Sequence, residues 1–218
     1  MQEKDPEYAP EVDLEPRRNP RQSRAKQTVE KILEATAELL DEEGAENLTT
    51  ERVAERSGVN IATLYHYFPN KLALLYALGQ ELAEQQEERL NELYSNASTE
   101  EWQEVVDAAS DIILEFHRTV KGATAVTRAM QTHAALRKID REQDLRQSER
   151  VASMLAELGI NVSPTQLQDI SLVLLQTATA VLDNAMRWYP ENADAVMNEV
   201  KLMHKQYIEY YLKQSASK

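Results

Sequence analysis

The chain has 218 residues with 24 Lys and Arg against 37 Asp and Glu, a formal charge of −13. This balance excludes a surface coated in positive charge for nonspecific nucleic-acid binding, while leaving room for a local basic patch. Five glycines and seven prolines provide few turns for a sandwich or barrel of short strands, and the absence of Cys removes disulfides, thiolate metal sites and cysteine nucleophiles.

A hydrophobic fraction of 42% with 28% charged residues fits an all-α soluble fold. Residues 1–16 carry Glu3, Asp5, Glu7, Glu11, Asp13 and Glu15 against Lys4, with three prolines. That composition predicts a disordered tail over about 1–20 without a secretory signal, which folds back to compete with phosphates. The sign then reverses: residues 17–31 hold Arg17, Arg18, Arg21, Arg24, Lys26 and Lys31 against Glu30 alone. By itself such a run reads as a solvated linker.

Apolar residues at helical spacing predict a first helix over 25–43, with Gly44 placed as its left-handed cap. Thr50 is placed to cap a short helix ending at Gly58, and a second short helix, 61–68, must stop before Pro69. Two short helices joined by a tight Gly-containing turn form a helix-turn-helix. Val53, Ala54, Val59, Leu64 and Phe68 are spaced for its core, leaving Asn60, Ala62, Thr63, Tyr65 and His66 outward. Those side chains suit phosphates, base edges and thymine methyls, and the basic arm with Arg24 adds phosphate neutralisation. A packed helical hairpin with an ordinary polar face accounts for the same spacing.

Lys71 opens a long helix through about residue 94. Further helices are predicted over about 99–120, with Ser98 and Glu101 as a capping box, then 123–134 and 140–158. Ser163-Pro164 opens a helix to Tyr189, and Asn192 caps the last, to about Lys213. In the helix 164–189, Ile170, Leu174, Thr177, Val181, Ala185 and Trp188 line one face while Leu172, Leu175, Thr179 and Leu182 make a second face apolar. The last helix adds Val196, Val200, Met203, Tyr207 and Tyr210. This surplus predicts a homodimer through about residues 164–213, with burial inside one large monomer core as the alternative.

The continuous segment from Leu48 to Lys71, LTTERVAERSGVNIATLYHYFPNK, resembles the N-terminal signature of the TetR (tetracycline-repressor-like) regulators, and the likeness extends over about 25–80. It implies an all-helical homodimer with a three-helix DNA-binding domain and a larger ligand-binding and dimerisation domain. The domains it suggests here are 21–70 and 71–218. By the same likeness Thr49 and Thr50 contact DNA backbone, Thr63, Tyr65 and His66 face the major groove, and Lys71 meets phosphate. The implied partners are double-stranded operator DNA and an unidentified small-molecule effector that relieves repression.

A pocket for that effector is expected among the middle helices, near Trp102, Phe116, His117, Arg128, Met130 and His133, with Gln176 on the later helix. Trp102, Phe116 and Met130 also read as plain core, and His117 and His133 as capping or surface groups. None of the four histidines has Glu three residues before it, and HExxH, P-loop and GxSxG motifs are missing. No catalytic site, metal or cofactor is therefore expected. A helical small-molecule enzyme is the second reading, and a helical protein–protein adaptor that has lost DNA binding is the third, favoured by nine acids within residues 30–55. The most apolar stretch, 170–182, is interrupted by Gln176, Thr177 and Thr179 and is too short for a bilayer. The expectation is a cytoplasmic protein without a membrane partner.

Overall fold

The computed structural model describes residues 13–17, 23–96 and 99–217. Nine α-helices and no strand occur among the described residues: α1 (Ser23–Asn47), α2 (Thr50–Ser57), α3 (Ile61–Tyr67), α4 (Lys71–Asn96), α5 (Trp102–Thr119), α6 (Ala123–Thr132), α7 (Ala134–Glu157), α8 (Pro164–Trp188) and α9 (Ala193–Ala216). Three-residue 3-10 turns precede α5 and α9.

Two compact units divide the chain. One comprises residues through Glu84 together with Val120–Asp140, the other Gln85–Thr119 with Arg141 onward. The first therefore extends beyond the expected 21–70 boundary, because Ala73, Leu74, Leu75 and Leu78 of α4, and Val126, Ala129 and Met130 of α6, are buried. α1 packs on α2 and α6, and α2 packs on α3. Gly122 is required where α6 meets α1: its φ is +76°, and a Cβ there would fall 2.9 Å from the Ala37 methyl. Its N–H donates to the Asp41 carboxylate at 2.8 Å.

In the second unit α9 packs on α5 and α8. Leu114, Ala178, Leu182, Ala185, Met197 and Val200 form one cluster, and Leu155, Ile160, Ile170, Leu174 and Ile208 another. Ser163 accepts the Gln166 N–H at 3.2 Å ahead of Pro164 at the first position of α8. Pro190 then forces Tyr189 out of helical geometry, φ −145° and ψ 50°. Lys205 donates to Asp107 at 2.9 Å, joining α9 to α5.

Several boundaries differ from expectation. Gly44 has φ 77° but ψ 166°, so it breaks α1 without acting as a left-handed cap, and helical residues resume to Asn47. Thr49, not Thr50, caps α2. α7 begins at Ala134 instead of 140, separated from α6 by His133 alone, whose carbonyl accepts from Leu136 and Arg137. Asn192 makes no side-chain cap for α9. The capping box at Ser98 lies outside the described residues. So do residues 1–12 and 18–20 of the expected tail; within it, Asp13–Arg17 is hydrogen-bonded to α3 and to Asn70.

Candidate nucleic-acid interface

α2 is too short to persist without its caps. Thr49 sits in extended geometry with Oγ1 accepting the Arg52 N–H at 3.3 Å, and Gly58 closes the helix at φ 66° with its N–H on the carbonyls of Ala54 and Glu55. A Cβ at Gly58 would meet nothing, so glycine is needed there for conformation and not for space. Asn60 starts α3: its Oδ1 accepts the Ala62 N–H at 2.8 Å. Asn70 repeats the device for α4, accepting from Ala73 at 2.9 Å. Val53, Ala54, Leu64 and Phe68 are buried and Val59 is half-buried, so the hairpin is held by its apolar side.

Asn60, Ala62, Thr63, Tyr65 and His66 are all exposed, giving α3 an outward polar face. Two members of the candidate set are tied together: the Thr50 hydroxyl lies 2.9 Å from the Tyr65 hydroxyl and donates to Glu51 at 3.3 Å. Because the carboxylate only accepts, the phenol supplies the proton between the two hydroxyls. The backbone N–H of Glu51, with help from these hydroxyls, holds its carboxyl below the usual range. Thr50 is thus buried support for Tyr65, while Thr49 is exposed. Arg24 is exposed near the start of α1. Lys71 is half-buried, donating to the Ala45 carbonyl at 3.2 Å. An ammonium has two further protons for phosphate after that bond.

The acids of α1 have partners that spacing does not reveal. Glu42 meets Arg56 at 2.7 Å, Glu38 meets Lys121 at 2.8 Å, and Glu43 pairs with Arg52. Arg56 holds the Glu42 carboxyl, and Lys121 the Glu38 carboxyl, below the usual range. Three of the nine acids within residues 30–55 are therefore compensated by basic partners, which weakens their support for an adaptor. The missed residues are these basic partners, together with Arg17 and Asn70. Their signal is tertiary, since Lys121 is 83 positions from Glu38.

The seven effector candidates divide between the units. In the N-terminal unit Arg128 is half-buried, Met130 is buried, and His133 is the exposed residue closing α6. In the C-terminal unit Trp102 packs against the Leu155–Ile208 cluster, and the Arg89 guanidinium lies 5.1 Å from the centroid of the buried Phe116 ring. Burial lowers the His117 pKa to about 4 against the opposing pull of Asp183. Exposed Gln176 donates to Asp144, whose carboxyl is raised by burial. A hollow of about 450 Å³ in this unit is lined by Leu93, Val105, Ala108 and Ile112 with Arg89 and three glutamates, and by none of the seven. Among the described residues no cluster of His, Asp and Glu is arranged to hold a metal, and no helix is long and apolar enough to cross a membrane.

A capped two-helix hairpin with an outward polar face, packed on a preceding helix, has the architecture of a helix-turn-helix DNA-binding domain. Residues 32–78 match the profile described as bacterial regulatory proteins, tetR family, and residues 100–211 match that of the tetracyclin repressor-like C-terminal domain. The chain belongs to the TetR family and is a DNA-binding transcriptional regulator. The tetracycline repressor protein class C of Escherichia coli is 49% identical over 51 residues, 23% of each chain. Nucleoid occlusion factor SlmA of Glaesserella parasuis serovar 5 is 37% identical over 114 residues, 51% of this chain and 53% of that one. The matches thus span from about a quarter to about half of those curated relatives. A TetR-family transcriptional regulator from Streptomyces coelicolor superposes with a TM-score of 0.67 at 27% identity, covering 85% of this chain and 98% of that one. The SmeT protein of a SmeT–triclosan complex gives 0.62 at 19%, covering 86% and 91%.

Proposed function

We propose that this regulator is a homodimeric repressor that reads a palindromic operator with α3 and releases it when a small molecule binds. The observation that carries the reading is the α3 face, where Asn60, Ala62, Thr63, Tyr65 and His66 are exposed together while Leu64 and Phe68 anchor the helix. Thr63 and His66, with the edge of Tyr65, read bases; Thr49, Lys71 and Arg24 hold phosphates. Pairing runs through α8 and α9, on which Val173, Trp188, Leu202, Met203 and Tyr210 are exposed. A small-molecule effector is supported by the likeness in fold to SmeT, a protein found in complex with triclosan. Repression by release is the mode the family resemblance implies.

The test is a salt series on a duplex selected by the protein from a randomised pool and on random duplex. Thr63→Ala and His66→Ala are expected to cost about 1–3 kcal/mol on the selected duplex alone. Lys71→Ala and Arg24→Ala weaken both duplexes and reduce the salt slope by about one contact each. The reverse assignment, or four variants without effect, contradicts the reading. For the effector, a compound that co-purifies with the protein and is identified by mass spectrometry is expected to lower affinity for the selected duplex; one that leaves it unchanged contradicts ligand release.

A further inference from the structure

The carboxyl end of α3 presents a defect that a distant segment repairs. In a helix the carbonyl of residue 65 awaits the N–H of residue 69, but that residue is Pro69, which has none. The Arg17 guanidinium takes the position, donating to the Tyr65 carbonyl at 3.3 Å, and the Arg17 backbone N–H donates to the Tyr67 carbonyl at 2.9 Å. The segment is fastened at its other end, where Asn70 Nδ2 donates to the Asp13 carbonyl at 2.9 Å. The Tyr76 hydroxyl lies 3.5 Å from the Glu15 carboxylate and accepts from Gln80.

We propose that Asp13–Arg17 is a tertiary cap for α3 and that Arg17 is a positioning residue for DNA recognition. Seven residues are too few for α3 to hold its own end, and a cation at the carboxyl end of a helix is favourably placed against the exposed carbonyls. Tyr65 is consequently fixed twice, through its carbonyl by Arg17 and through its phenol by Thr50. Asn70 serves both sides of the joint, since its Oδ1 caps α4 while its Nδ2 holds Asp13. The assignment gives this segment a sign opposite to phosphate competition: losing it harms recognition.

The inference rests on α3 being the reading helix, so its test has one arm with DNA and one without. Arg17→Ala is expected to lower affinity for the selected duplex by about fivefold, an effect typical of losing a charge-assisted contact at a helix end. Random-duplex affinity and the salt slope should hold, and Arg17→Lys should restore part of the loss. In the free protein, Arg17→Ala should speed amide exchange of Leu64–Phe68. A loss equal on both duplexes, with a slope lower by about one, would make Arg17 a phosphate ligand and overturn the cap. So would unaltered exchange in α3. Thr63→Ala measured in parallel identifies failure of the reading helix itself, in which case the exchange arm still decides the cap.

Discussion

The two units treat apolar surface in opposite ways. Among the described residues of the N-terminal unit the large apolar side chains are withdrawn, and Tyr65, 37% exposed, is the large hydrophobic most open to solvent. In the C-terminal unit Trp188 and Tyr189 are each 59% exposed and Leu202 and Tyr210 more than half, beside Val173 and Met203. An outward face of hydroxyls, an imidazole and an amide suits a charged, hydrated groove, whereas exposed aromatic and aliphatic groups favour a protein partner. The contrast supports the proposed division, with DNA read by one unit and pairing carried by the other.

The sharpest way to break this comparison is a pair of substitutions on α9. Val200 is buried in the Leu114–Met197 cluster, so it belongs to the monomer core, and Val200→Glu is expected to destabilise the chain by several kcal/mol in chemical unfolding. Leu202 and Met203 are exposed. The Leu202→Glu/Met203→Glu double variant is expected to keep the far-ultraviolet circular dichroism of the parent and to sediment as a monomer at micromolar concentration. A folded dimer from the double variant would move the pairing surface off α9.

A smaller effect concerns pH. Burial lowers the His204 pKa to about 4, with its Nε2 2.9 Å from the Thr177 hydroxyl, and His117 is lowered to about 4 as well. Both are neutral in the folded chain near pH 6.5, where unfolded histidine begins to take up protons. Their contribution to stability is therefore complete above about pH 6.5, is lost as pH falls towards 4, and changes little below that. Denaturant titrations should lose stability across this window with about one proton taken up per histidine on unfolding. His204→Gln should remove one of the two; an unaltered pH slope contradicts its burial as a neutral base.

What was legible in the sequence followed local chemistry. Gly58 and Pro69 mark the ends of α2 and α3 because each acts on its own backbone, and Ser163-Pro164 opens α8 for the same reason, whereas Asn60, expected only on the outward face, also caps α3. The outward side of α3 was legible because Leu64 and Phe68 fix its inward side. Thr49 and Thr50 offer the same hydroxyl, and only the backbone geometry assigns the cap to Thr49. The break at His133 has no Pro or Gly to announce it, so α7 was expected six residues late. Periodicity placed Val200 and Met203 together as a pairing face, whereas packing buries the first and exposes the second. In the sequence Arg17 shows only as charge in a basic run; its hydrogen bond to the Tyr65 carbonyl spans 48 positions, beyond the reach of local rules.

The division of labour between the units is tested most directly by selecting bound duplexes from a randomised pool and measuring how many chains occupy one duplex. The account predicts an inverted repeat held by two chains, with half-site centres separated by about 10–10.5 base pairs or a multiple of that. The Leu202→Glu/Met203→Glu variant should lose the two-chain complex while Thr63→Ala retains pairing and loses sequence preference. An asymmetric site filled by a single chain, or a pool that yields no preferred sequence, would contradict it.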